Sequence, residues 1–167
     1  MRTIRCDGIT MRYSTSADRL LLTLTTVEGT AHFFVTARFI SRLVQQWFSH
    51  ENCQISAEGW SAAASTSSGK ASAKPVPDTP VPGTPADASA PLINTSTLRI
   101  EGSLSVLSFE VPNDAIYAIH MSVSESIQFL RALRTQCLGA DWSLKHWPDW
   151  VQMMGSDHVV DLKPSIH

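Results

Sequence analysis

Charge, cysteine and long apolar runs are all scarce in this 167-residue sequence, and each scarcity closes off a class of function. Asp, Glu, Lys and Arg together make up 17% of the residues, and the formal net charge is −2, divided as +1 over residues 1–60, zero over 61–91 and −3 over the remainder. Neither half is a polyanion binder by composition, because nonspecific nucleic-acid affinity is built from many phosphate neutralisations. The three cysteines, Cys6, Cys53 and Cys137, include no C-x-x-C pair, and no histidine pair stands at zinc-finger spacing. They read as reduced thiols, with Cys6 and Cys137 buried, and not as a disulfide framework or a metal site. No stretch approaches the ~20 apolar residues of a membrane span, and the opening MRTIRCDGIT lacks the apolar centre of a signal peptide. A cytoplasmic protein is the expectation. No glycine-rich phosphate loop, G-x-S-x-G elbow or H-E-x-x-H motif occurs, so neither a cofactor nor enzyme activity is expected.

What is present is organised around Ser61–Pro91, where Ala, Ser, Thr, Gly and Pro predominate, aromatic residues are missing, and six of the nine prolines stand between Pro75 and Pro91. Such a composition cannot offset the entropy of ordering, so a disordered linker is expected, flexible at first and of polyproline II character later. As a flexible chain its ends would lie on the order of 30 Å apart. The linker separates a first unit at 1–60 from a second at 92–141, with a tail at 142–167. A unit of about 60 residues buries only about 60% of its unfolded surface, so the two are expected to share one core.

In the first unit, Thr3–Cys6 reads as a short strand ended by the turn pair Asp7-Gly8, with Ile9–Tyr13 a second extended piece. From Arg19 the residues alternate, placing Leu20, Leu22 and Leu24 on one face of a strand, and Glu28-Gly29 offers a hairpin turn into Ala31–Val35. At Thr36 the period changes. Phe39, Ile40, Leu43, Val44 and Trp47 form one helical stripe, with Thr36 as its N-cap. Arg38 and Arg42 stand four apart on that helix and are candidates for contact with an anion or nucleic acid. Cys53–Trp60 offers one more short extended piece.

The second unit repeats this grammar. Thr97-Leu98-Arg99-Ile100-Glu101-Gly102 answers Thr3-Ile4-Arg5-Cys6-Asp7-Gly8; Ser105, Leu107, Phe109 and Val111 alternate; Pro112-Asn113-Asp114 makes a turn; Ala115–Met121 returns. Ser122-Val123-Ser124-Glu125 is a capping box, and Ile127, Phe129, Leu130, Leu133 and Cys137 form the apolar stripe of a helix ending near Gly139. The copies are offset by 94 residues at their opening strands and 86 at their caps. The fold class expected is α+β: two similar strand–hairpin–helix units, each an antiparallel sheet plus one helix, packed as a pseudo-twofold pair, with a short C-terminal amphipathic helix.

That last helix is expected to start at Pro148, with Trp147, Trp150, Val151 and Met154 at i, i+3, i+4, i+7 and Gly155 as its end. Trp142, Trp147, Trp150, Met153 and Met154 either fold back on the core or anchor a partner protein, Trp as anchor and Met as adaptable filler. His146, Asp149, Asp157, His158, Asp161 and His167 fit no closed metal site. His120 and Ser122 invite a base–nucleophile reading, but capping explains the serine. The expectation is therefore a non-enzymatic protein–protein interaction module, an adaptor or accessory subunit, whose partner-binding residues are those of the tail. Self-association is left open. The alternative is a nucleic-acid-binding module using Arg5, Arg12, Arg38, Arg42 and Arg99.

Overall fold

The computed structural model describes residues 2–49, 89–112, 115–145, 147 and 151. Its elements run β1 (Arg2–Ser14), β2 (Arg19–Thr26), β3 (Gly29–Val35), α1 (Ala37–Phe48), β4 (Thr95–Glu101), β5 (Leu104–Val111), β6 (Ala115–Ser122) and α2 (Val123–Gly139). Three strands and a helix thus occur twice in the same order. The six strands form one mixed sheet in the order β3-β2-β1-β6-β5-β4, antiparallel throughout except at its middle, where Arg2–Cys6 of β1 runs parallel to Ala115–Ile119 of β6.

The turn expected at Asp7-Gly8 is a β-bulge inside a continuous 13-residue strand. Cys6 lies opposite Thr26 and Gly8 opposite Thr25, so Asp7 is the extra residue. A bulge leaves the strand unbroken but exchanges its faces. Cys6 and Ile4 before it, and Ile9, Met11 and Tyr13 after it, all turn to the core side.

The two outer strands do not lie far apart. Phe34 N–H of β3 donates to Pro91 O at 2.9 Å and Ile93 N–H donates to Phe34 O at 2.9 Å, a parallel bridge between Phe34 and Leu92. Thr95, the first residue of β4, follows three residues later, at most about 11 Å along the chain. In a flat sheet β3 and β4 would be five strand spacings apart, about 24 Å. The sheet is therefore curled until its edges approach. Pro91, expected to belong to the linker, is part of this closure; the linker residues 61–88, and the extended piece expected at Cys53–Trp60, lie outside the described residues.

Both helices pack on the inside of the curl, and each reaches a strand of the other half. The first lies against β4, and the second against β1, β6 and β5. Phe39 meets Phe109 of β5 at 6.4 Å between ring centroids, and Trp47 stacks on Phe129 of α2 at 5.6 Å. One core results, from Leu20, Leu22 and Leu24 through Val44 and Ile93 to Leu107, Ile127 and Leu133. The expected helical stripes are all buried: Phe39, Ile40, Leu43, Val44 and Trp47 in one helix, Ile127, Phe129, Leu130, Leu133 and Cys137 in the other.

The caps form as the sequence requires. Thr36 Oγ1 accepts from Phe39 N–H at 3.3 Å; Ser122 Oγ accepts from Glu125 N–H at 3.2 Å while Ser122 N–H donates to Glu125 Oε2 at 2.8 Å. The glycine stop is displaced. Gly139 is the last helical residue, and Asp141, at φ 58°, takes the left-handed position, with Asp141 N–H donating to Leu138 O and Trp142 N–H to Cys137 O. This Schellman arrangement turns Trp142 back onto Tyr13 of β1, edge to face at 5.8 Å.

The like-ordered elements of the two halves stand at a different offset from the one the opening match suggests. The first hairpins close at Ser14–Arg19 and Glu101–Leu104, so Ser14 corresponds to Glu101. Thr97-Leu98-Arg99 then answers Thr10-Met11-Arg12, not Thr3-Ile4-Arg5. The offset is 87 at the hairpin, 85 at its return (Arg19 to Leu104) and 86 at the caps, in place of 94 and 86. The strand β1 carries Thr-x-Arg twice, and it is the second copy that stands at the same distance from its hairpin as Thr97-Leu98-Arg99 does. A two-fold pair in an open sheet would join β1 to β4 or β3 to β6; the sheet joins β1 to β6 instead.

Candidate functional site

The side of the sheet turned away from the helices is polar and carries arginine. The bulge at Asp7 puts Thr3 and Arg5, before it, on the same face as Thr10 and Arg12, after it, although the two Thr-x-Arg motifs are an odd number of residues apart. On β4, Thr95, Thr97 and Arg99 occupy this face, and all seven side chains are exposed. Between them lie Ser108 and, two residues along β6 from Ala118, the exposed His120. Toward β3 the face continues through Thr23, whose Oγ1 lies 3.0 Å from His32 Nδ1. Phe34 and Leu21 also point this way, but are each only 4% exposed.

The charge of the folded elements differs from that of the chain. They hold nine arginines, no lysine, and four carboxylates: Asp7, Glu101, Glu110 and Glu125. Guanidinium is the group of choice for two-pronged contact with carboxylate or phosphate oxygens, and it stays charged at all accessible pH. Arg2 is paired with Glu28, both well exposed, a contact of the kind that contributes at most about 1 kcal/mol.

Arg38 and Arg42 are exposed on α1, a helix without a carboxylate. That helix covers the inner side of the sheet, so these two arginines belong to the opposite layer from Arg5, Arg12 and Arg99. The structure does not bring the five together.

Of the tail residues, Trp147 is 8% exposed and Val151 1%, both in the shared core, and Trp142 is half-buried on Tyr13. Their side chains are used by the fold. Trp150, Met153 and Met154 lie outside the described residues, as do His146, Asp149, Asp157, His158, Asp161 and His167. Among the described residues no three His, Cys, Asp or Glu side chains are grouped to hold a metal, and no helix is long and apolar enough to cross a membrane. Ser122 is occupied by its capping box, and His120 faces outward from the sheet.

Burial pushes the Cys137 thiol up to about 12, and burial with the neighbouring Asp7 carboxylate pushes Cys6 up to about 11. A thiol that holds its proton in this range is not a nucleophile at neutral pH. A shallow depression opens where β1, β6 and the start of β3 meet, lined by Ile4, Thr26, Glu28, Ala31 and Tyr117.

Sequence reasoning missed that Thr10-Met11-Arg12 and Thr97-Leu98-Arg99 stand at the same distance from their hairpins. The available signal was the doubled Thr-x-Arg in β1 around a glycine, the mark of a bulge. Comparison with protein-family models, with curated proteins and with solved structures returns no match.

Proposed function

We propose that this protein is a non-enzymatic interaction module, a cytoplasmic adaptor or accessory subunit, that binds an acidic surface of a partner protein through the outer face of its sheet. The observation that carries this is the exposed set Arg5, Arg12 and Arg99 among threonines, on a face whose arginine motif recurs in both halves. The tail tryptophans carry less of the reading than the sequence alone suggested, since Trp142 and Trp147 pack inward.

The same reading takes the halves as fused copies related by a two-fold axis through the curl. Exchanging them carries β1 onto β4, and the contact of α2 with β1 onto that of α1 with β4. Buried Cys6 then matches buried Ile93. Such a core needs both halves, as a homodimer needs both chains.

Affinity purification of the full chain from its native cell, read by mass spectrometry, tests the reading. A discrete partner is expected with the wild type and is lost with Arg5→Glu/Arg99→Glu, whose thermal midpoint stays within a few degrees. Recovery of nothing, or of the same partner with both proteins, overturns it.

A second reading, nucleic-acid binding, is favoured by the arginine excess of the elements. Against it, the outer face presents no exposed aromatic ring among the described residues, and single-strand binding draws much of its energy from base stacking on such rings. A salt-sensitive mobility shift with single-stranded DNA or RNA would put this reading first; no shift at low salt removes it.

A further inference from the structure

We infer that the acidic partner enters a groove crossing β6 and β5 on the outer face of the sheet, as an extended segment with carboxylates at positions i and i+4 and a small residue between them at i+2. The inference rests on the acidic-partner reading above and gives that partner a shape and a charge spacing.

The pairing of the strands builds the groove. Thr97 of β4 stands opposite Ser108 of β5, Ser108 opposite Ala118 of β6, and Ala118 opposite Arg5 of β1, so the four form one row across the outer face. The two middle members have small side chains. Their neighbours two residues away on the same face do not: Val106 and His120 stand on one side of the row, Glu110 and Ile116 on the other. Ile116 and His120, four residues apart on β6, are about 13 Å from each other along the strand. Less the width of the side chains that wall it, this gap admits one extended chain but not a helix, which is about 10–12 Å across. Ala118 points outward and is still only 5% exposed, as the floor of such a groove would be.

Positive charge stands at the ends of the row. Arg5 closes it on β1, and Arg99, two residues beyond Thr97, flanks its end on β4. Neither arginine is in an ion pair among the described residues. Strands β1 and β4 are three strand spacings apart, about 14 Å, a distance that an extended chain covers in about four residues. Side chains at i, i+2 and i+4 of such a chain share a face. Two carboxylates can therefore meet the two guanidiniums while the residue between them rests on Ala118 and Ser108. Glu110, on the wall beside Ser108, opposes a third carboxylate at the middle position. It also opposes a nucleic-acid strand, which is charged at every nucleotide.

The probe is the blocked peptide Gly-Glu-Ser-Ala-Ser-Glu-Gly, titrated into the full-length protein and followed by amide NMR shifts. Shifts are expected at Ser108, Ala118 and His120. The isomer Gly-Glu-Ser-Glu-Ser-Ala-Gly should bind about threefold or more weakly, and Arg5→Glu/Arg99→Glu should weaken the first peptide by about tenfold or more, in line with the modest worth of each exposed ion pair. Ala118→Leu and Ser108→Leu fill the floor and should abolish the shifts with the thermal midpoint held within a few degrees. Comparing the two peptides on the wild type keeps the test independent of how either variant folds. Equal binding of the isomers, shifts confined to other elements, or no shift overturns the inference. So does a single-stranded oligonucleotide that moves the same amides at lower concentration than the peptide. If partner capture survives both leucine variants but is lost with Arg5→Glu/Arg99→Glu, the groove fails and the interaction module stands; capture that survives all three overturns both.

Discussion

Trp47 of α1 stacks on Phe129 of α2 with ring centroids 5.6 Å apart and planes inclined by 28°, joining the two halves through their helices. Trp47 is 1% exposed, and its Nε1–H is buried without an acceptor among the described residues. Trp47→Ala should cost about 3–5 kcal/mol in urea denaturation, the range for removing a large buried aromatic. Trp47→Phe keeps most of the stack and removes the unpaired donor, so it should cost less than about 1.5 kcal/mol. Equal losses for the two would show that the stack contributes little.

The closure of the curl rests on few residues. Ile93 is fully buried beside the bridge to Phe34. Ile93→Ala should destabilise by about 2–5 kcal/mol, well above the cost of an alanine at the exposed Val27. A loss below ~1 kcal/mol would mean that β3 and β4 are held together by other contacts.

The tail is part of the core at Trp147 and Val151. Trp147→Ala is expected to lower stability by about 3–5 kcal/mol, and removing residues 142–167 to lower it further. Unchanged thermal melting of the truncated chain would return these residues to the surface.

Thiol titration gives stability a pH slope of known sign. Cys6 and Cys137 hold their protons in the folded protein up to about 11 and about 12, against an ordinary 9.0. Their contribution is fully present below pH 9 and falls as pH rises toward those values, because the unfolded thiols lose protons first. Iodoacetamide at pH 8 should therefore leave both unmodified in the folded protein and alkylate both in urea, as read by mass spectrometry.

Ser122→Ala removes one half of a reciprocal cap and should cost about 1 kcal/mol by thermal melting. Glu125→Gln retains an acceptor and should cost less. A cost for Glu125→Gln as large as that for Ser122→Ala would show that the carboxylate charge contributes as much as the hydroxyl.

The elements were legible because their signals are local. Alternation at Leu20–Leu24, the stripe Phe39 to Trp47 and the box Ser122–Glu125 each depend on residues within a turn or two of one another. The candidate site was only partly legible. Arg5, Arg12 and Arg99 stood out as residue types, but their common face depends on one extra residue at Asp7, which looks like a turn until β2 and β6 are seen pairing on either side of it. Trp142 and Trp147 were left between core and interface because nothing in the sequence tells a core-filling tryptophan from an anchoring one.

Outside β1, the sequence by itself determined the order of strands and helices, the faces they bury and the caps that start both helices, since these follow from backbone periodicity and hydrogen bonds spanning three or four residues. Only the tertiary structure decided which strand neighbours which, and that each helix reaches a strand of the other half. Those choices are made by pairing and burial between residues far apart in the chain, where the energy of a contact leaves no local mark.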